Sequence, residues 1–562
     1  MQSEKPAIKD LASICAQKGL RNVVISPGSR NAPLIISFTN QPAIQCTSIA
    51  DERSAAFFAM GIAQQLKAPV ALTCTSGSAA LNYAPGLAEA YYQHVPLVVF
   101  TADRPTEWID QGDGQTIRQR DVFANHIKKS FELPQEAGAD DVRWHSNRII
   151  SEAINLAMAH PQGPVHINIP LKEPLYQNSP NEAKEPEPKI IQVHPTVASL
   201  NAEALQTLAT RWNNSSKKLL IVGQGNPNAR LSELVNKIAA DPAVTVLTET
   251  TSNLFGERLF PCTDRLIHAF DAETWEALRP DLLITFGGAI VSKRIKAHLR
   301  KYRPSEHWHI DLHQHPDTFQ SLTDVIALDP ADFFEQLLSL STPSDSDYYA
   351  SWKSRDLLAD ARHAEFLKEA PHSDLKVFEQ LLEVIPENSD LHLANSSPIR
   401  YVQLFKSGNK NNYSNRGTSG IDGSISTAVG MAFASQKLTT IITGDLSFFY
   451  DSNALWNHYL SPHLRIILIN NAGGGIFRII DGPTSTDHFE TYFEATHQTN
   501  AAGIAATFGV EYQKVDSTQT LATALAGFFE SGKTAPQLLE IDTPQHQNAV
   551  LLKQYFEHLK TG

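Results

Sequence analysis

Short apolar runs, most of them closing on Gly, Ser, Asp or Pro within a few residues, recur along the whole chain. The first set is Asn22–Ser26 (NVVIS), Val70–Cys74 (VALTC), Pro96–Phe100 (PLVVF) and Val165–Ile169 (VHINI). Runs of this length, bounded by turn residues and separated by amphipathic stretches, predict strands of a parallel sheet with crossover helices. A second set follows at Leu219–Gly223, Val244–Thr248, Leu282–Gly287 and His307–Leu312. The third includes Leu438–Ile442 (LTTII) and Arg465–Ile469 (RIILI), with a helix predicted between them at Asn453–Leu460 and further helices within Tyr348–Leu382. Between the first two sets, residues 177–195 (QNSPNEAKEPEPKIIQVHP) are rich in Pro and charge and predict a linker. A polar stretch, Ser341–Asp347, begins the next connection. The pattern predicts three parallel-sheet α/β domains, at 1–176, 196–345 and 346–562, joined at the first boundary by the linker 177–195. The length of 562 residues suits about three domains of ~150 residues each.

Composition narrows the function classes. With 42% hydrophobic and 19% charged residues, a substantial core can be buried. A net charge of −13 argues against nucleic acid or an anionic membrane as partner, yet leaves room for a small anionic substrate in a locally basic cleft. The N-terminus MQSEKPAIKD lacks the apolar core of a signal peptide, and no run approaches a membrane span, so no membrane insertion is expected. Cys15, Cys46, Cys74 and Cys262 are scattered without CxxC spacing, which predicts a cytoplasmic protein and no cysteine zinc site. The GQG at Gly223–Gly225 lacks the third glycine of a dinucleotide loop.

Candidate chemistry gathers at predicted strand ends. Asp445 follows one apolar run; Asn470, Asn471 and three glycines follow the next. If the two strands are neighbours, a carboxylate, an amide oxygen and a Gly-rich backbone converge as a hard oxygen site suited to Mg²⁺. Alternatively Asp445 caps a helix and the asparagines turn the chain. Glu52 precedes the Ala-rich segment SAAFFAMGIA; it is either a first-turn acid or a carboxyl with raised pKa under apolar residues. Asn82, in the helix opened by the Gly/Ser turn of TSGSAALN, is either a helix polar group or a cofactor neighbour. Arginines recur after strands: Arg30 beside Ser29 in PGSRNAPL, Arg104 in ADRP, Arg294 beside Lys293 in SKR, Arg400 after Ser396 in SSPIRY, and Arg416 in SNRGTSGIDG. Singly each reads as a surface residue; together they suggest a cleft for carboxylates. Gln115 and Arg118, in the polar loop Asp110–Gln119, are expected to face the same opening.

Gly444-Asp445 followed by Asn470-Asn471 resembles the signature of thiamine-diphosphate (ThDP) enzymes, with Leu446 where many members carry Gly. PGSRNAPL, ADRP, GQTIRQ, SKR, SNRGTSGIDG, GDLSFFYD and NNAGGGIF together resemble one family of that class over essentially the whole length, the 2-succinyl-5-enolpyruvyl-6-hydroxy-3-cyclohexene-1-carboxylate (SEPHCHC) synthases. The resemblance implies three α/β domains of the ThDP-binding fold type. It implies ThDP held between the first domain of one subunit and the third of another, hence a homo-oligomer, dimer or tetramer. Asp445, Asn471 and the Gly473 carbonyl would ligate Mg²⁺ or Mn²⁺. Glu52 would act on the aminopyrimidine across the interface, Ile421 would support the bent cofactor, and Asn82, Leu446, Ser447 and Ile476 would line it. The implied reaction decarboxylates 2-oxoglutarate and adds the resulting carbanion 1,4 to isochorismate, in menaquinone biosynthesis. Ser396, Arg400 and Arg416 would face 2-oxoglutarate; Ser29, Arg30, Arg104, Gln115, Lys293 and Arg294 would face isochorismate. Ile476 and Phe477 would form an apolar wall, while Ile479 and Ile480 read as core. Gly114 stands where relatives often carry Asn. Rival readings are another ThDP-dependent 2-oxoacid decarboxylase, an acetolactate-type synthase, or a non-catalytic ThDP-fold subunit.

Overall fold

The structure, a computed structural model, describes residues 10–135, 140–176, 187–194, 198–435, 437–480 and 482–560, together with 2–3, 5, 8, 178–179 and 196. Three six-stranded sheets organise it, and every neighbouring pair within them is parallel. The first holds β1 (Asn22–Ile25), β2 (Gln45–Ser48), β3 (Val70–Cys74), β4 (Leu97–Asp103), β5 (Ser130–Glu132) and β6 (Val165–Pro170). The second holds β7 (Lys218–Val222), β8 (Val244–Leu247), β9 (Leu259–Phe260), β10 (Leu282–Phe286), β11 (Glu306–Ile310) and β12 (Asp324–Ile326). The third holds β13 (Asp390–Leu393), β14 (Asn411–Tyr413), β15 (Thr439–Gly444), β16 (Leu464–Asn470), β17 (Glu511–Val515) and β18 (Gln537–Asp542).

Each of the ten apolar runs named from the sequence overlaps a strand. The strands that the pattern missed include β2, β14 and β17, each a sheet edge; β2 and β17 are largely exposed, and β14 is three residues of polar sequence (NNY), though mostly buried. The predicted helix Asn453–Leu460 is not formed. The chain instead makes a helix at Asp445–Tyr450 and a 3-10 turn at Ser452–Leu455. Side chains break the later segment: Asn457 donates to the Ala454 carbonyl at 2.7 Å and accepts from the Tyr459 N–H at 2.8 Å. Of the predicted linker, residues 177, 180–186 and 195 lie outside the described residues; Ile191 is tied to the first domain through its carbonyl, by Lys18 at 2.7 Å and Asn155 at 3.0 Å.

The first and third sheets share one strand order, β2-β1-β3-β4-β6-β5 and β14-β13-β15-β16-β18-β17, whereas the middle sheet runs β9-β8-β7-β10-β11-β12. The two matching domains pack through equivalent helices, α1 (Glu52–Leu66) after β2 and α2 (Ser424–Ala434) after β14. The contact is reciprocal. A Cβ on Gly61 would lie 2.1 Å from the Thr427 carbonyl, and one on Gly430 would lie 2.1 Å from the Phe58 carbonyl. Glycine at both positions lets the helix backbones meet, so one apolar core, with Phe57, Phe58, Ile425 and Val429, runs through both domains. The middle domain joins the third through Asn253, whose amide donates to the Asn412 carbonyl at 2.8 Å and accepts the Asn412 N–H at 2.7 Å. No helix among the described residues is long and apolar enough to cross a membrane.

Candidate active site

β15 and β16 are direct neighbours, with Gly444 opposite Ile469, so Asp445 and Asn471 leave the sheet side by side at its carboxyl edge. Both are buried. Asp445 accepts the Leu446 N–H at 2.6 Å and reaches across to the Gly473 N–H at 2.9 Å, locking the two loops together. Asn471 donates its Nδ2 to Asp374 Oδ2 at 3.2 Å, and its Oδ1 accepts no hydrogen bond among the described residues. The neighbouring Asn470 is committed to structure, donating to Glu540 at 2.7 Å and to the Thr499 carbonyl at 3.0 Å. Asp374 is fully buried; desolvation pushes its carboxyl up to about 6, opposed by hydrogen bonds from Thr543 and Asn471. His497 lies 3.4 Å from Asp445 Oδ2, and that carboxylate raises its pKa. No group of three His, Cys, Asp or Glu among the described residues could hold a metal. A cation placed between Asp445 and Asn471 would find one carboxylate and neutral oxygens, and would need its remaining oxygens from a ligand or water.

Gly473 has φ +150° and stands where a Cβ would lie 2.8 Å from the Glu494 carbonyl. The short helix Ile476–Ile479 follows, leaving Ile476 and Phe477 half-buried, while Ile479 packs on the third-domain core. Ile421 is 38% exposed, unusual for an isoleucine, and is held out by its backbone. Ser447 Oγ donates to the Ile421 carbonyl at 2.7 Å, and Asn395 Nδ2 donates to the Gly420 carbonyl at 2.7 Å. Leu446 beside it is half-buried and Ser447 is buried.

Glu52 is the first residue of α1, but Asp51 takes the capping role by accepting the Ser54 N–H at 3.2 Å. The half-buried Glu52 carboxylate instead accepts Asn82 Nδ2 at 3.2 Å. Among the described residues no hydrogen bond joins Glu52 to the Asp445–Asn471 edge of the same chain.

The arginines form two clusters. In the first domain, buried Arg30 donates to the Leu171 carbonyl at 3.0 Å and pairs with Glu173 at 3.3 Å; burial and then Arg104 lower its pKa. Arg104 donates to the Gly114 carbonyl at 2.9 Å and pairs with Asp113 at 3.4 Å. Ser29 and Gln115 are exposed nearby on the same loops, Gln115 with φ +54° against the Gly77 turn. Arg118 pairs with Asp110 at 2.7 Å on the exposed side of the loop. The second cluster lies where the middle and third domains meet. Arg294 and Arg400 line a cavity of about 100 Å³ with Asp264, Ser397 and Phe556, and Arg294 stacks 4.2 Å above the Phe556 ring. Arg416 donates to Asn395 Oδ1 at 2.9 Å; burial and then Arg400 lower its pKa. Ser396, with φ +73°, turns the chain into the helix Ser397–Val402 that carries Arg400. Lys293 is exposed at the start of the helix Lys293–Lys301. Within one chain Arg294 thus joins Arg400 and Arg416 rather than Arg30 and Arg104. The Nε atoms of Arg30, Arg104, Arg400 and Arg416 are buried and carry no hydrogen bond among the described residues. A larger cavity of about 630 Å³, around Lys67, His94 and Asn228, contains none of these residues.

Sequence reasoning missed Asp374, His497, Asp264, Asn395 and Glu249. Glu249 accepts the Val291 and Ser292 N–H groups at 2.7 Å each, and burial pushes it up to about 7. Its position just past β8 followed the same strand-end rule that singled out Asp445; Asp374, opening an ordinary helix after Ser373, gave no such signal.

Three family models cover the chain in order: thiamine pyrophosphate enzyme, N-terminal TPP binding domain (residues 7–159); middle domain of thiamine pyrophosphate (190–393); and thiamine pyrophosphate enzyme, C-terminal TPP binding domain (396–541). Relatives named 2-succinyl-5-enolpyruvyl-6-hydroxy-3-cyclohexene-1-carboxylate synthase match throughout. That of Christiangramia forsetii is 46% identical, with all of both chains covered. That of Flavobacterium johnsoniae is 46% identical over 98% of each chain, and that of Porphyromonas gingivalis 41% over 99% of this chain and 98% of the relative. The chain belongs to the SEPHCHC synthase family of thiamine pyrophosphate enzymes. The family supplies a ligand for the carboxyl edge of the third sheet.

Proposed function

We propose that this chain catalyses the ThDP- and Mg²⁺- (or Mn²⁺-) dependent decarboxylation of 2-oxoglutarate and the 1,4-addition of the resulting succinyl carbanion to isochorismate, giving SEPHCHC and CO₂ in menaquinone biosynthesis. The observation that carries the reading is the set of arginines, Arg30 buried and Arg104, Arg400 and Arg416 half-buried, whose Nε atoms carry no hydrogen bond among the described residues. Both substrates are dicarboxylates, and guanidinium binds carboxylates bidentately. A ThDP enzyme for monocarboxylates has no need of four.

Thiamine diphosphate, when bound, supplies the thiazolium that makes decarboxylation of a 2-oxoacid and carbon–carbon bond formation feasible. Asp445, Asn471 Oδ1 and the Gly473 carbonyl hold the metal, and the orientation of Asn471 by Asp374 supports this assignment. Glu52, with Asn82 beside it, holds and moves a proton at the aminopyrimidine; Ile421, Leu446, Ser447 and Ile476 position the cofactor. Ser396, Arg400 and Arg416 bind 2-oxoglutarate. Ser29, Arg30, Arg104, Gln115, Lys293 and Arg294 bind isochorismate, although within one chain Arg294 lines a cavity with Arg400. Ile476 and Phe477 exclude water, because a proton from solvent would quench the carbanion. A homo-oligomer, dimer or tetramer, in which Glu52 serves the partner's site, belongs to the same reading. Domain bounds of 1–176, 196–345 and 346–562 accompany this reading, and four unpaired cysteines support a cytoplasmic location.

The test is CO₂ release from 2-oxoglutarate with ThDP and Mg²⁺, with and without isochorismate. The expected result is loss of isochorismate absorbance in step with CO₂. Release from pyruvate with isochorismate untouched overturns the substrate assignment and leaves a ThDP decarboxylase.

A further inference from the structure

Glu89 is a buried carboxylate in the helix Ala84–Tyr92 of the first domain, yet its partners belong to the third. It accepts the Gly417 N–H at 2.7 Å, the Thr418 N–H at 2.6 Å and the Thr418 hydroxyl at 2.5 Å, and also Gln93 Nε2 from its own helix. Four donors converge on one buried carboxylate, and charge-assisted bonds of this kind are stronger than neutral ones. The helix comes so close that a Cβ on Gly417 would lie 2.8 Å from the Glu89 carbonyl. Gln224 of the middle domain completes the junction, donating to Gln93 Oε1 at 3.2 Å and to the Ser414 carbonyl at 2.8 Å. The segment 414–418 is therefore clamped from two other domains. Its far end is clamped from within the third domain: Gly420 by Asn395 and Ile421 by Ser447. Arg416 sits at the Glu89 end, one residue from the anchored Gly417, and the Glu89 charge favours its protonated form.

We propose that Glu89 is a positioning residue that sets the Arg416 guanidinium for the carboxylate of 2-oxoglutarate. The proposal rests on the reading of Arg416 as a 2-oxoglutarate ligand. A glutamine at position 89 keeps the shape but offers one acceptor oxygen and an amide donor to the two N–H groups of Gly417 and Thr418. The loop must shift or flip there, while the Ser447 bond to the Ile421 carbonyl at the cofactor end stays intact.

The experiment measures KM for 2-oxoglutarate, kcat and ThDP affinity in the full-length protein for E89Q, E89D, T418V, R416A and the double variant E89Q/R416A. Expected are a rise of about tenfold or more in KM for E89Q, a smaller rise for E89D and T418V, and ThDP affinity within about twofold of the parent throughout these three. In the R416A background, E89Q should add less than about twofold, because its effect runs through Arg416. A merely structural role would lower ThDP affinity and KM performance together, and that result overturns the proposal. A raised KM in R416A with an unchanged one in E89Q overturns Glu89 alone. An unchanged KM in R416A overturns the Arg416 reading and the Glu89 proposal with it. If E89Q does not fold, T418V carries the test: a KM rise without loss of ThDP affinity supports the proposal, and any other pattern overturns it.

Discussion

Replacing Asp374 with Asn tests the metal site without touching any ligand. In the parent, Asp374 accepts from Asn471 at 3.2 Å, from Thr543 Oγ1 at 2.6 Å and from Asn548 Nδ2 at 2.9 Å. Asp374→Ala would leave three buried donors unmatched at about 1–3 kcal/mol each, a large share of a typical 5–15 kcal/mol stability. Asp374→Asn keeps the volume and one acceptor. Its oxygen stays with Thr543 and Asn548, and its new amide points at Asn471, donor against donor. The relief is for the Asn471 amide to turn over, which satisfies the pair and aims an N–H₂ at the cation in place of Oδ1. Loss of a supporting orientation of this kind typically lowers metal affinity about 10–100-fold, which is about 1.4–2.7 kcal/mol. Titration of Mg²⁺ in the presence of ThDP, followed by calorimetry, measures it, with circular dichroism checking the fold. Asp445→Ala serves as the limiting case and should abolish metal-dependent ThDP binding. A folded Asp374→Asn variant with Mg²⁺ affinity within about threefold of the parent refutes the orientation argument.

Other consequences are open to direct measurement. Glu52→Gln should leave the fold and ThDP affinity nearly intact while turnover falls by about two orders of magnitude or more, the usual range for losing a proton-transfer group; near-normal turnover would remove Glu52 from the mechanism. Gly61→Ala places a Cβ 2.1 Å from the Thr427 carbonyl, so the overpacking of α1 on α2, about 1–3 kcal/mol, should exceed the helix-propensity gain of about 1 kcal/mol. Its thermal midpoint should fall by a few degrees, and an unchanged midpoint would mean the helices separate freely. His166 is wholly buried against Thr101, and burial pushes its pKa down to about 3. Its folded pKa lies below the unfolded value of about 6.5, so its contribution is complete above that pH. That contribution is lost at up to about 1.4 kcal/mol per pH unit as pH falls towards 3. Urea unfolding between pH 7.5 and 5 should show a shallower acid slope for His166→Gln, and parallel slopes would contradict the assignment.

Local pattern alone located ten of the eighteen sheet strands and pointed to candidate chemistry at their ends. Buried parallel strands announce themselves as continuous apolar runs, and the ligands of such sheets sit where those runs stop, so Asp445 and Asn471 could be paired before any coordinates. The edge strands β2, β14 and β17 could not be found in the same way: β2 and β17 face water, β14 is only Asn-Asn-Tyr, and none carries a continuous apolar run. Whether Asp445 and Asn471 meet depended on β15 lying beside β16, and that is a matter of sheet order. The matching order of the first and third sheets, the reciprocal glycines of α1 and α2, and the grouping of Arg294 with Arg400 are likewise facts of packing. Asp374 and Glu89 show the reason most plainly. In sequence each is an acid in an unremarkable helix, and its partners come from segments whose distance along the chain leaves no trace in any local period. Periodicity records which face of an element is buried. Which groups it is buried against is decided only when the domains come together.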